Sequence, residues 1–236
     1  MENINTKEYW DNRFKIDNPQ SWKSVGGESQ TKKYAKHISQ SLKMQHDFSG
    51  TILDFGCAMG DAIPIYQKKY PRAKYIGLDF SEEAIKQCKT KYQSKNINFI
   101  AGSIDDVPSV DVIIISHVLE HLSNDKDFIF KLLHKCNNLY IAVPHDEKII
   151  EGGEHINSYY SKSFDYLLDV ADVSVNFVIQ YIKPSMKDLV LSLYQIELKN
   201  FLRPFFKKQK IRRTTLFQIS SQILFIITFK NRSLVI

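Results

Sequence analysis

The order of apolar and amphipathic segments predicts an α/β protein built on a doubly wound parallel sheet. Three observations carry this expectation. Short apolar runs alternate with helix-like stretches from residue 51 to residue 143. The run Val112-Ile-Ile-Ile115 is unbroken, as in a strand buried on both faces. And Thr51-Ile-Leu-Asp-Phe-Gly-Cys-Ala-Met-Gly60 reads as strand, glycine loop and helix start, a unit that brings backbone N–H groups and a helix N-terminus close to a ligand.

The elements follow in order. Glu8-Tyr-Trp-Asp-Asn-Arg-Phe14 places aromatics at helical spacing. It is either a short amphipathic helix packed on the core or a flap over a ligand, with Tyr9 and Trp10 facing inward. Residues 18–29, containing Pro19, Gly26 and Gly27, read as a loop, and 31–44 as a helix ending before a turn at 47–50. Residues 51–55 form the first strand. A helix over 61–69 has Pro64 in its first turn, where a missing N–H is tolerated. The second strand, 74–78, ends at Asp79. Ser81 then caps a helix running to about residue 94, with Glu82 and Glu83 in the first turn, where the helix dipole favours acids.

Strands at 97–100 and 111–116, a helix at 125–135 and a strand at 139–143 continue the rhythm. Beyond them lie an expected helix at 161–170, a sixth strand at 173–182 and a long amphipathic helix at 186–206. A last strand at 221–229 is antiparallel if it returns from the sixth as a hairpin. The simplest division is one domain, 1–236. It has N-terminal cap helices at 1–45, a ligand-binding core at 46–182, a basic helical insertion at 183–215 and the final strand at 216–236.

The 236 residues suffice for a sizeable core. Cys57, Cys88 and Cys136 are odd in number and widely spaced, which fits a reducing compartment better than a disulfide framework or zinc pattern. Residues 1–15 are polar with no apolar secretory core, and no run of about 18 apolar residues occurs, so the expectation is a cytoplasmic protein. Charge is uneven: residues 183–236 hold eleven Lys/Arg against Asp188 and Glu197, a net +9 in a chain of +6, leaving −3 for residues 1–182.

In open α/β sheets ligands bind beyond the carboxyl ends of the strands. Those ends carry Asp54, Gly56, Cys57 and Gly60, then Asp79 and Phe80, then Ser103, Ile104 and Asp105, then Ser116 and His117. Asp79, about 20 residues beyond the glycine loop, suits a ribose diol. Asp105 can accept from an exocyclic amine, with Ile104 and Phe80 as apolar walls for a flat base. The loop lacks a third glycine, Asp61 at the helix start opposes a pyrophosphate, and Asp54 is suited to an ammonium group. An adenosine joined to a zwitterionic amino acid, S-adenosylmethionine, meets these features.

The chain resembles the class I S-adenosylmethionine-dependent methyltransferases. Ile52-Leu-Asp-Phe-Gly-Cys-Ala-Met-Gly60 looks like their first motif and Ile76-Gly-Leu-Asp-Phe-Ser81 like their second. Ala101-Gly-Ser-Ile-Asp105 is similar to the third, and Asp111-Val-Ile-Ile-Ile-Ser-His-Val-Leu-Glu-His-Leu122 to the fourth. The resemblance covers roughly residues 45–170. It implies a Rossmann-like sheet of six parallel strands and an antiparallel seventh, and S-adenosyl-L-homocysteine as product. Tyr9-Trp10 resembles the cap that closes on the cofactor in many members. Ala58-Met59 departs from the pattern where a glycine is frequent, which should narrow the loop.

Methyl transfer from a sulfonium requires an acceptor held in line at about 3 Å and, for a hydroxyl, a base. Histidine, with a pKa near neutrality, is the natural base. His155 and His145 are the candidates, because residues 144–160 cross the expected mouth of the site; Tyr159 and Tyr160 either line it or fill the core. His117, Glu120 and His121 share one face if their segment is helical. In the resembling quinone-type O-methyltransferases an acid-x-x-Glu-His pattern here holds a divalent cation. His117 replaces the acid, so no metal is expected, with His117, Glu120 and His121 as the alternative.

The apolar stretch 186–206 followed by Lys207-Lys-Gln-Lys-Ile-Arg-Arg213 has three readings. It is a core-packing or homodimer contact, a peripheral membrane contact, or a groove for an anionic substrate. It carries no base-reading motif, so nucleic acid is not an expected partner. The expected reaction is O-methylation of a small polar, anionic acceptor such as a sugar, nucleotide-linked sugar or phosphorylated metabolite in cell-surface glycan synthesis. The alternatives are a membrane-surface quinone or lipid methyltransferase and a non-catalytic S-adenosylmethionine-binding protein.

Overall fold

A computed structural model describes residues 4–182 and 218–229. The chain divides into two units, Met1–Val178 with Ile223–Ile236, and Ile179–Gln222. Of the second unit, the described residues are the end of one strand and the start of another. The helix expected at 186–206 and the basic run 207–213 lie outside the described residues.

The sheet consists of β1 (Thr51–Phe55), β2 (Lys74–Asp79), β3 (Ile97–Ala101), β4 (Val112–Ser116), β5 (Asn138–Pro144), β6 (Ala171–Ile182) and β7 (Gln218–Phe229), in the order β3-β2-β1-β4-β5-β7-β6. Six strands are parallel and β7 antiparallel, as the sequence predicts. The strand order reverses between β1 and β4, and the carboxyl ends at such a switch point are where open α/β sheets form their ligand crevice. Register sets Asp54 beside Gly77 on one side and Ile114 on the other.

Among the described residues five helices flank the sheet: α1 (Lys7–Phe14), α2 (Gly27–Ser41), α3 (Ile63–Lys69), α4 (Glu82–Tyr92) and α5 (Asp125–Leu133). Alternation along each strand feeds two cores. Leu53, Phe55, Ile113 and Ile115 pack with Phe128, Ile129 and Leu132 of α5. On the opposite face Ile52, Val112 and Ile114 pack with Ile38 of α2, Ile63 and Tyr66 of α3, and Ile85 of α4. Burying both faces explains the unbroken Val112–Ile115 run.

The helix ends follow local chemistry. The Thr6 hydroxyl accepts from the Tyr9 N–H to cap α1, and Ser81 accepts from the Ala84 N–H to cap α4. α2 begins at Gly27, earlier than expected, so the loop read over 18–29 stops at Gly26. Gly26 turns the chain at φ +87°, and a Cβ on Gly27 would fall 2.2 Å from the Trp22 ring. α3 begins at Ile63 rather than 61, because the turn through Gly60 (φ +73°) reaches past Asp61.

The helix expected at 161–170 does not form. A single 3-10 turn, Asp165–Leu167, occupies its centre. The backbone bonds here reach three residues back, from Asp165 to Lys162, Leu168 to Asp165 and Val170 to Leu167, and these turns suffice to bury Phe164 and Leu167 before β6 starts at Ala171.

Candidate active site

The crevice has a tightly built side at the ends of β1, β2 and β3. Both Gly56 N–H and Cys57 N–H donate to the Leu78 carbonyl, at 2.8 and 3.1 Å. Gly56 sits at φ +68°, and a Cβ there would meet Val118 Cγ2 at 2.4 Å, so only glycine lets the loop backbone lie this close to the β4 end. Asp79 accepts from the Ala58 N–H through Oδ2 and from the Ser81 N–H through Oδ1, each at 2.9 Å. It thereby ties loop to strand while keeping lone pairs for another donor. Burial pushes Asp54 up to about 7, with the Asp79 charge adding to the effect. Burial likewise pushes Asp79 up to about 6, against the Ser81 and Ala58 N–H groups that pull it down.

Two buried carboxylates of this kind favour a ligand carrying positive charge and hydroxyl donors. Beside them Phe80 is 39% exposed, a ring without a core to fill, and half-buried Ile104 stands on the next loop. These residues fit an adenosine linked to an ammonium-bearing tail. Ser103 is exposed: its N–H donates to Asp106 Oδ2 at 2.8 Å, and its hydroxyl accepts from the Asp105 N–H. The Asp105 carboxylate stands in solvent 3.6 Å from Lys131 Nζ. Cys57 is fully enclosed, with burial holding its thiol well above the ordinary range.

Ala58 takes the left-handed conformation, φ +48°, where the family pattern has glycine. Asp61 does not face the loop. Its buried carboxylate accepts from Lys91 Nζ at 2.8 Å and from the Tyr92 hydroxyl at 2.5 Å, so its charge is met on the α4 side and does not bear on a pyrophosphate.

Helix α1 spans the crevice. The Ser81 hydroxyl donates to Asp11 Oδ1 at 2.5 Å, and Gln87 Nε2 to the Phe14 carbonyl at 2.7 Å. At the other side the Tyr9 hydroxyl donates to Glu154 Oε1, and Asn5 Nδ2 donates to the Glu154 carbonyl at 2.8 Å. Burial, then the Glu154 partner, pushes the Tyr9 phenol up to about 12. Trp10 stacks on Phe14 and meets His121 edge-on at 5.4 Å.

The facing side is assembled from two segments, 116–122 and 144–160. The first is a 3-10 turn, Leu119–His121, so His117, Glu120 and His121 do not share a helical face. His117 adopts φ +58°, its Nδ1 lies 3.0 Å from Ser116 Oγ, and its ring stacks on Tyr34 at 4.1 Å. Burial, then the charges of His155 and His121, pushes His117 down to about 3.

The alternative metal set is therefore corrected. Among the described residues, the group with ligand atoms within 4.8 Å of one another is Glu120, His121 and His155, without His117. His155 Nδ1 lies 2.5 Å from Glu147 Oε2, and His121 Nδ1 lies 3.0 Å from the Glu154 carbonyl. Glu120 is fully buried, and its carboxylate oxygens meet no donor beyond its own backbone N–H. Burial pushes it up to about 8.

The structure thus gathers His155, His121 and Glu120, while the His145 ring packs edge-on to exposed Tyr160 at 6.3 Å. Tyr159 belongs to the core, its hydroxyl donating to the Leu119 carbonyl at 2.9 Å. Sequence reasoning missed Glu147, Glu154 and Tyr34. Glu154 carried one signal, its place beside His155 in a glycine loop; the others carried none.

Sheet order, glycine loop and paired acids together define the cofactor-binding domain of a class I methyltransferase. The methyltransferase domain family matches residues 46–170, more than half of the chain, and the protein belongs to it. Demethylmenaquinone methyltransferase of Lactococcus lactis is 34% identical over 92 residues, 35% of this chain and 36% of that protein. Fatty-acid O-methyltransferase of Mycolicibacterium smegmatis is 26% identical over 80 residues, 34% of this chain and 29% of that protein. The chain thus spans about a third of the length of these curated relatives. Among solved structures, plantazolicin methyltransferase BpumL in complex with S-adenosylhomocysteine matches with TM-score 0.53 and 18% identity, over 95% of this chain and 96% of that one. Coclaurine N-methyltransferase matches with TM-score 0.54 and 14% identity, over 83% and 72%. S-adenosylmethionine is the cofactor of this family.

Proposed function

We propose that the protein methylates an oxygen of a small polar acceptor. The observation that carries this is the His155–Glu147 pair, with imidazole and carboxylate 2.5 Å apart beside His121 and Glu120 and under α1. A carboxylate on Nδ1 orients the ring and leaves Nε2 to take a proton. The bound cofactor supplies an electrophilic methyl group. Asp79 holds the ribose hydroxyls, Asp54 the ammonium end, and Phe80 with Ile104 the base. Gly56, Cys57, Gly60, Ser103 and Ser116 line the cradle through their backbones or small side chains, and Tyr9 and Trp10 close it.

Oxygen as the acceptor atom is supported by the name of one relative, the fatty-acid O-methyltransferase. For the acceptor itself we retain a hydroxyl of a sugar, nucleotide-linked sugar or phosphorylated metabolite in cell-surface polysaccharide synthesis. The net +9 charge of residues 183–236 supports an anionic acceptor. The location proposed is the cytoplasm; no described helix is long and apolar enough to cross a membrane.

A second reading, a quinone or lipid acceptor at a membrane surface, is favoured by the names of the demethylmenaquinone and fatty-acid relatives. Calorimetry with S-adenosylhomocysteine, followed by turnover on hydroxylated and carboxylated acceptors, tests the proposal. No binding, with Asp79→Ala indistinguishable from wild type, sinks it. Salt-sensitive liposome binding moves the acceptor to the second reading.

A further inference from the structure

Tyr66 is a core residue with a polar atom left over. Its backbone is fixed inside α3, where its N–H donates to the Ala62 carbonyl and its carbonyl accepts from the Tyr70 N–H. Its ring belongs to the core cluster that holds Ile52, Cys57 and Ile114. The side chain is fully buried, yet the hydroxyl meets no partner. Phenylalanine would fill the same space without leaving a buried donor unpaired, so the hydroxyl calls for a role. The cluster around it borders Asp54. Ile52 lies two positions before Asp54 on the same strand face, and Ile114 is its register partner on β4. Burial, then the Asp54 charge, holds the Tyr66 phenol well above its ordinary range, so the hydroxyl keeps its proton and remains a donor. Asp54 is an acceptor in the same condition: burial and the Asp79 charge raise it, and no hydrogen bond offsets them.

We propose that Tyr66 is a positioning residue for the cofactor, its hydroxyl donating to the Asp54 carboxylate that holds the ammonium group. This rests on the methyl-transfer reading, in which Asp54 takes the ammonium end. A cation arriving in the crevice draws the proton off Asp54 and leaves a buried anion with lone pairs for several donors. The ammonium meets the crevice side of that anion and the phenol its α3 side. A hydrogen bond to a charged acceptor is roughly twice as strong as a neutral one, so the bond favours the liganded protein and aims the carboxylate at the ammonium. The other titratable groups around Asp54 are Asp79 on β2 and the Cys57 thiol on the loop, with Asp11 of α1 acting on Asp79 and Cys88 of α4 on Cys57. The two acids add negative charge, and both thiols are directed at the Ala58 carbonyl, at 3.8 Å from Cys57 and 3.1 Å from Cys88. Among these described groups the phenol is the donor suited to the ionised carboxylate.

The test is calorimetry on the full-length chain with two probes, S-adenosylhomocysteine at pH 7.5 and 5.5, and 5′-methylthioadenosine, which lacks the amino-acid end. Tyr66→Phe should weaken S-adenosylhomocysteine by about five- to tenfold at pH 7.5 and by less than about twofold at pH 5.5, where Asp54 is protonated. Methylthioadenosine should bind the variant as it binds wild type. In an Asp54→Asn background Tyr66→Phe should have no further effect, since the two groups act as one pair. A loss that is equal at both pH values, or shared by methylthioadenosine, marks a merely structural hydroxyl and overturns the proposal, as does unchanged binding. If Tyr66→Phe fails to fold, Tyr66→Met carries the same comparison, and failure of both makes the hydroxyl structural and overturns the proposal as well. Wild type that binds no S-adenosylhomocysteine rejects the methyl-transfer reading. Binding that responds to Asp54→Asn but not to Tyr66→Phe rejects the role of Tyr66 alone.

Discussion

The two sides of the crevice are built on opposite principles. On the β1–β2–β3 side Asp79 and the glycine loop are tied to the backbone beside them: Asp79 accepts from the Ala58 and Ser81 N–H groups, and Gly56 and Cys57 share the Leu78 carbonyl, while Asp54 is buried next to the Asp79 charge. On the β4–β5 side, side chains from distant segments meet, and buried Glu120 has no donor beyond its own backbone N–H. The loop of the first side is held in place by its own backbone contacts. The second leaves valence open, which is where an acceptor or an ion can be chosen.

Removing a group from each side should separate these roles. The largest effect is expected from His155→Ala, a loss of about 10²–10⁴ in turnover with cofactor binding within a few-fold of wild type; equal losses in both would merge the two sides. Asp79→Ala should weaken S-adenosylhomocysteine by about 100-fold in calorimetry, since it removes charge-assisted hydrogen bonds and unties the loop.

The pH dependence sharpens the first side further. Asp54 and Asp79 are raised to about 7 and about 6, above the ordinary carboxylate range, so between about pH 4 and 7 the folded protein holds protons that the unfolded chain has released. Their contribution to stability therefore falls as pH rises through that window. A cationic ligand favours the ionised carboxylates, so S-adenosylhomocysteine should bind up to about tenfold more tightly at pH 7.5 than at 5.5, releasing protons as it binds. Asp54→Asn should flatten the profile; an unchanged slope would remove Asp54 from the ammonium role.

The smallest effect belongs to Ala58→Gly. Relief of the left-handed alanine should stabilise by about 1 kcal/mol, read as a rise in melting temperature, without weakening the cofactor.

The cofactor side was legible because its determinants are short-range. A strand, a glycine and an acid about 20 residues on are spacings along the chain. The acceptor side depends on contacts across the chain, such as His121 with the Glu154 carbonyl and Tyr34 on His117. No periodicity encodes these. The reading of His117, Glu120 and His121 as one face assumed a helix, and φ +58° at His117 broke it. The helix expected at 161–170 is replaced by turns bonded three residues back, because the few buried residues of the segment need no longer helix.

Helix α1 is fastened at both rims, by Ser81 to Asp11 and by Tyr9 to Glu154. A single eight-residue segment therefore acts as one latch for two compartments. On the proposed function, cofactor exchange and acceptor exchange would share an opening event, with their release rates set by one conformational step. An enzyme so arranged would work as an airlock: both spent molecules would wait behind the same door, and the pace of the cycle would belong to the hinge as much as to the chemistry.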